Sequence, residues 1–450
     1  MRQRANSPAV ASSEADVATP CSAWHAMAPD WELIGDLQGG TRAMRAAGER
    51  WLPREPRESL EAYRIRLSRT VLFNGFGRAV QTLSGKPFAK PASLGDGADP
   101  RIRALCRDLD LGGRDLTTFA RDVLRAALTD GVTHLLVDYP EARDGVETLH
   151  DERRRGARPY CVHVPARDLI GWRAGDGGTL ERLRIRETVV ERDGAWGERV
   201  VPQVRVLEPG RWTVWRKPDS SEDAPWRQVA GGETSLDRIP FVSIYAGRTG
   251  FLTARPPLMD LAWLNLAHWQ SSSDQRHILH VARVPILFAR NLKVGEDGVE
   301  IGPNRLILGD GDAADLRYVE HSGAAIAAGR QDLVDLEDRM AVMGLDLLVG
   351  RTGGATATER AIDAARADSA LAGLVREVEE GLTRALGLAA EWMDLPPDSA
   401  GRVTLDPDMG LDAREAQEVD LLLRARIAGE IDRPTFLAEI RRRGILADLA

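Results

Sequence analysis

Cysteine is almost missing from this 450-residue chain: there are three, Cys21, Cys106 and Cys161, odd in number and widely spaced. That excludes a disulfide framework and a CxxC metal clamp, and it fits a reducing compartment. Long apolar runs are missing too. No stretch approaches the ~18 consecutive apolar residues that a membrane-spanning helix requires. A basic surplus is also lacking, since the formal net charge is −8, which argues against a protein that grips nucleic acid by neutralising phosphates. The segment Met1 to Pro20 has no apolar stretch of the kind a signal peptide carries. It reads as a disordered tail, bounded at residues 1–24.

The enzyme templates are missing in turn. Ser84-Gly85-Lys86-Pro87 lacks the upstream glycine and the Ser/Thr of a phosphate-cradling loop. His277 and His280 have no carboxylate placed to complete a zinc-protease motif and read as a polar interface feature. Asp310-Gly311-Asp312-Ala313-Ala314-Asp315 departs from a calcium loop, with Asp315 at the sixth position and His321 at the twelfth. Neither a GxSxG elbow nor a dinucleotide fingerprint occurs. The chain therefore reads as a non-enzyme, with no catalytic residues, no cofactor and no metal.

What is present is a soluble composition, 43% hydrophobic and 28% charged, in a chain long enough for about three compact units. Residues 30–90 are patterned as helices, and Leu116 to Leu128 is amphipathic and ends at Asp130-Gly131, a left-handed cap. Thr133 to Val137 is a buried strand. Tyr160 to Val164, Leu180 to Val190, Val200 to Leu207, Trp212 to Trp215 and Phe241 to Tyr245 follow as short strands between Gly, Asp and Pro turns. A β-rich stretch over 131–250 set between helical regions makes the fold class α+β.

Past Pro256-Pro257 a long helix runs from Leu258 to about Ala282, with Trp263 and Trp269 expected to anchor it. A second runs from about Ala324 to Leu348. Ile326, Leu333, Met340 and Leu347 recur every seven residues, with Leu336 and Met343 between them, a seam suited to packing against another helix. Asp332, Asp335, Glu337 and Asp338 give that helix an acidic face. Gly350-Arg351-Thr352-Gly353-Gly354 breaks the pattern, and a third long helix follows behind a Thr356/Glu359 capping box.

The order of these elements, with a set of short phrases, resembles the phage portal proteins, and in particular a portal-like family catalogued as a domain of unknown function. The phrases span about Trp31 to Leu446. They include Leu52-Pro53 with Tyr63 and Arg66-Leu67, Gly85 with Phe88, Gly131 through Leu136-Val137-Asp138, and Arg158-Pro159-Tyr160. Later come Pro209-Gly210 with Trp212, Ile239-Pro240, Pro257-Leu258 through Leu264-Asn265 and His268, and Ala355-Thr356-Ala357-Thr358.

The resemblance implies a phage portal fold: a wing over 25–256, a first stem helix over 257–282, a clip over 283–323 and a second stem helix over 324–349. A tunnel loop over 350–356 (Arg351, Thr352, Gly353, Gly354), a long wing helix over 357–395 and a helical crown over 396–450 complete it. It implies a homo-oligomeric ring, usually of twelve subunits, at one vertex of the virion capsid, assembled in the host cytoplasm. Double-stranded DNA would be packaged and ejected through the ring. The major capsid protein, the terminase large subunit and a head-tail adaptor would be its partners, with no membrane. The alternatives are another head-assembly protein, such as a minor capsid or adaptor subunit, or an enzyme with an unrecognised site.

Overall fold

The computed structural model describes residues 16–140, 157–217, 224–283, 286–290, 315–319, 324–346, 369–406 and 421–442. The fold is α+β, with helices before and after a β-rich middle. The chain divides into two compact units. The first holds Met1–Gly35, Gly77–Asp260 and Met343–Ala450; the second holds Asp36–Phe76 and Leu261–Val342.

In the first unit, helix α1 (Ser22–Gln38) buries Trp31, Leu33 and Ile34. Its start corrects the tail boundary at residue 24: Ser22 to Trp24 form the first helical turn. Just before it, the Cys21 N–H donates to the Ile170 carbonyl at 2.8 Å, and the Arg184 guanidinium donates to the Val17 carbonyl. Helix α4 spans Gly75–Gly85 and helix α5 spans Pro100–Leu105. Helix α6 (Leu116–Asp130) is capped by Asp115, whose carboxylate accepts from Thr118 N at 2.8 Å, and buries a stripe at spacings of three and four. Gly131 ends it at φ 81°, the left-handed torsion expected there.

Strand β2 (Val132–Asp138) follows at once. It is the middle strand of a three-stranded antiparallel sheet, between β3 (Tyr160–Pro165) and β9 (Phe241–Tyr245), and β9 is followed by the short antiparallel pair β10 (Arg248–Gly250) and β11 (Thr253–Ala254). Covered on both faces, β2 has a nearly continuous apolar sequence. The long helix α9 (Ala370–Trp392) lies against β2, β9 and α6. Gly381 permits the approach: a Cβ there would fall 2.4 Å from Ile244 Cγ1. The Ser369 hydroxyl caps α9 by accepting from Ala372 N at 3.1 Å. Residues 356–368, with the Thr356/Glu359 box, lie outside the described residues.

Five antiparallel strands in chain order form the second sheet: β4 (Leu169–Ala174), β5 (Leu180–Asp193), β6 (Gly197–Glu208), β7 (Arg211–Arg216) and β8 (Arg227–Glu233). Leu183, Ile185 and Leu207 face the core, while Arg182 and Arg186 alternate outward. Arg205 bridges to the smaller sheet, donating to Asp138 at 2.6 Å, and Tyr160 donates to the same carboxylate at 3.1 Å.

Residues 397–404, placed in the crown by sequence, belong with this unit. A short turn at Pro397–Ala400 packs on α9, and β14 (Val403–Thr404) pairs with β1 (Ser93–Leu94). Asp406, two residues past β14, accepts from Lys90 at 3.2 Å. Beyond it, residues 421–427 are helical and α10 spans Arg433–Arg442.

In the second unit, α2 (Gly40–Ala47) and α3 (Leu60–Arg69) precede most of two long helices, α7 (Met259–Ala282) and α8 (Ala324–Asp346). Between these lie β12 (Ile286–Arg290) and β13 (Asp315–Val319), paired antiparallel from Ile286↔Val319 to Arg290↔Asp315.

Two histidines sit in the three-stranded sheet, His134 fully buried and His163 half-buried. His134 shares a 2.9 Å hydrogen bond with Ser243 Oγ and stacks on Phe241, while His163 shares one of 2.7 Å with Thr133 Oγ1. Burial pushes His134 down to about 3 and His163 down to about 4. Both rings stay neutral in the fold but protonate near pH ~6.5 once unfolded. The unfolded chain thus binds more protons in the window below pH ~6.5. Stability is complete above that value and falls towards pH 4 by up to about 1.4 kcal/mol per pH unit for each ring. The melting temperature should therefore drop between pH 6.5 and 5, before most carboxylates titrate. A His134→Gln/His163→Gln variant should show a flatter slope, and equal slopes for the two proteins would contradict this account.

Candidate oligomer seam

Helices α7 and α8 face each other through polar groups. Gln275 Nε2 donates to the Ile326 carbonyl at 2.9 Å, and Ser271 Oγ donates to Asp332 at 2.5 Å. His268 Nε2 lies 3.4 Å from Glu337 Oε1. Positions fall along α7 as they rise along α8, so the helices run antiparallel. Gly329 leaves room for the first rung, since a Cβ there would meet Gln275 Oε1 at 2.2 Å.

The N-terminal part of the unit holds α7 by its other side. Asn265 reads two backbone groups at once, accepting from Phe76 N at 2.8 Å and donating to the Phe73 carbonyl at 2.7 Å. Gln270 donates to the Trp51 carbonyl at 2.9 Å. Arg66, 5% exposed, forks onto Glu58, 8% exposed, and reaches the Pro53 carbonyl and Ser273 Oγ as well. The Arg66 guanidinium holds the Glu58 carboxyl below its ordinary range. The phrase Leu52-Pro53, Tyr63, Arg66 is therefore one structural joint. Tyr63 is its buried wall, with the guanidinium 5.5 Å from the ring centroid.

The expected seam divides along its length. Leu336 and Met340 are buried, and Met340 Sδ sits 3.2 Å from where Gly75 would carry a Cβ. Ile326, Leu333 and Met343 are half-buried. Leu333 lines a cleft with Val71, Phe73 and Leu279. Leu347 lies outside the described residues, as do Arg351, Thr352, Gly353 and Gly354.

The acidic face divides too. Asp332 and Glu337 turn towards α7, Asp335 is exposed beside Gln331, and Asp338 is half-buried. Of the two tryptophans expected to anchor α7, Trp269 is fully buried but Trp263 is 50% exposed. Trp263 lies on the outer side of the helix, so only Trp269 anchors it. Sequence patterning missed Gln275, Gly329 and Glu58, because polar groups that pair across helices leave no apolar period.

Among the described residues, no three His, Cys, Asp or Glu side chains stand together as metal ligands. None of the described helices is long and apolar enough to cross a membrane.

Residues 257–393, which include α7, the β12–β13 ribbon, α8 and α9, match a family model described as a domain of unknown function, DUF4055. No curated protein matches the sequence. Among solved structures, the chain is similar to a component of the virion of a native gene transfer agent particle. The identity is 15%, covering 80% of this chain and 88% of that one, with a TM-score of 0.42. A chain from the neck of an empty gene transfer agent particle, computed with C6 symmetry, gives 15% identity, 88% and 96% coverage and a TM-score of 0.42. One from the neck of the native particle, computed with C12 symmetry, gives 14%, 89%, 98% and 0.38.

The Arg66–Glu58 joint yields a direct test. Removing one partner of a buried ion pair strands the other's charge, at a cost of about 3 kcal/mol or more. Glu58→Gln should lower the urea midpoint by that equivalent, whereas Glu61→Gln, on the exposed side of α3, should change it by less than about 0.5 kcal/mol. Equal effects from the two substitutions would show that the joint is not fastened by this pair.

Proposed function

We propose that the chain is the portal subunit of a tailed phage or phage-like particle: a structural protein forming a ring through which double-stranded DNA is packaged and ejected. The observation that carries this reading is the antiparallel α7–α8 pair joined through the two-stranded β12–β13 ribbon. It stands where the sequence resemblance asks for two stem helices flanking a clip. In that reading the polar ladder fixes the helix pair as one stiff strut. The half-buried apolar residues Ile326 and Leu333 are surface that a neighbouring subunit would cover.

The ring would stand at one capsid vertex, contacting the major capsid protein, and would receive the terminase large subunit and a head-tail adaptor. Its net charge suits a channel in which DNA slides, because each phosphate neutralised by the wall adds affinity and so resists movement. The proposed tunnel loop, residues 350–356, carries one formal charge, Arg351. Repeated once per subunit, it would touch phosphates without holding them.

Negative-stain microscopy of the purified chain should show rings with a central hole, of about twelve subunits. A homogeneous monomer at micromolar concentration would overturn the reading. Leu333→Asp should weaken assembly, since burying an unpaired charge costs several kcal/mol. Arg351→Glu should leave rings intact and lower the DNA content of particles. Normal packaging with that variant would remove the loop from the DNA path.

A further inference from the structure

A cleft of about 730 Å³ in the second unit is bounded by residues 69–73, α7 and α8. Its floor is apolar, through Val71, Leu279 and Leu333, and its rim is cationic, through Arg69, Arg276 and Arg283. All three arginines are exposed. Among the described residues, their side chains make no ion pair or hydrogen bond. Among the described residues, the one acid lining the cleft, Glu337, is already engaged with His268. A chain of net charge −8 thus gathers around an apolar floor three guanidinium groups that have no ion pair among the described residues. An apolar centre with a polar, solvated rim is the anatomy of a protein–protein contact.

The matching surface lies on the same unit. Leu333 and Asp335 are separated by roughly 200° around α8, so the helix turns one side to the cleft and another to solvent. That outer side exposes Gln331, Asp335 and Arg339, and Asp332 is exposed at its edge towards α7. The hydrogen-bond partners of the Asp335 and Asp332 carboxylates, Gln331 and Ser271, are neutral, and with the half-buried Asp338 these acids outnumber Arg339, so the side keeps a net negative charge.

We propose that the basic cleft of one copy receives the acidic outer face of α8 from the next copy. The proposal rests on the ring reading and names the surfaces that make the ring. Two different faces of one subunit join head to tail, and such a contact propagates around a closed ring instead of ending at a dimer.

Charge reversal tests it. Arg276→Glu/Arg283→Glu makes the cleft acidic, and Gln331→Arg/Asp335→Arg makes the outer face basic. Each variant alone sets like charges face to face, and size-exclusion chromatography with light scattering should show folded monomers in place of rings. Mixed in equal amounts, the two should regain rings of wild-type mass, because in an alternating ring every contact is again of opposite charge. Circular dichroism and melting curves check that each variant is folded.

Raising salt from 0.1 M to 1 M cuts the screening length from about 10 Å to about 3 Å, and should dissociate wild-type rings at least tenfold more readily. Wild-type rings together with either variant assembling normally would overturn the cleft pairing and leave the ring reading standing. So would a mixture of folded variants that stays monomeric. Rings unaffected by Arg276→Glu/Arg283→Glu but with weakened retention of a DNA duplex would also overturn it, assigning the cleft to nucleic acid. Absence of wild-type rings would instead count against the ring itself.

Discussion

Four stretches of backbone meet at Gly131, and much of the first unit follows from how closely they meet there. Its N–H closes α6 on the Ala127 carbonyl at 3.0 Å, while its own carbonyl accepts from Ala246 at 2.8 Å and Gly247 at 3.1 Å. The Gly247 carbonyl in turn accepts from Arg255 N at 2.8 Å. A Cβ on Gly131 would lie 2.7 Å from the Arg255 carbonyl carbon, and one on Gly247 would lie 2.1 Å from the Arg255 carbonyl oxygen. These obstacles are backbone, which cannot swing aside as a long side chain can. At Gly131 the left-handed torsion adds strain for any other residue. One knot therefore ends α6, starts β2, ends β9 and fixes the residue before Pro256-Pro257, just ahead of α7.

From there α7 relies on direction-specific polar contacts. Satisfied hydrogen bonds between packed helices add little net stability, but misplacing them is costly. Slipping α8 by one turn would set His268 against Leu333 and Ser271 against Ala328, stranding Asp332 and Glu337. The ladder thus specifies register more than it contributes energy. The Arg66 joint works in the same way. Its guanidinium finds three separate partners only if α3, the Pro53 turn and α7 are correctly placed, and any other arrangement buries an unpaired charge.

Much of the fold could be read from the sequence where packing imposes a period. The Gly131 cap, the buried strand β2, strands β3, β5, β6, β7 and β9, and the long helices α7 and α8 all carry apolar spacing that marks them. Strand β8, with Ala230-Gly231-Gly232 and little burial, is paired only by backbone and left no such mark. Strands β1 and β14 are two residues each and find one another across most of the chain, which no local pattern can announce. At the seam, the seven-residue period identified Leu336 and Met340 as buried. It could not separate them from Leu333, because period locates a face and not what covers it. The acidic run likewise looked uniform until Asp332 and Glu337 proved to turn towards α7.

Net charge and local charge do different work in such a molecule. At physiological salt the screening length is about 8 Å, so the −8 of one subunit hardly acts on the bulk of its neighbour. Only groups brought within a few ångströms of each other matter to assembly. Three arginines on a cleft rim can therefore decide whether acidic chains associate, whatever their total charge. In the proposed ring the same screening sets what the channel can do to DNA. An acidic wall repels phosphates only within about one screening length. The duplex would be kept from sticking to the wall while nothing opposes its motion along the axis. Tight association between subunits and loose association with DNA then need no contradiction in composition, only the separation of basic groups onto the surface that meets the next copy.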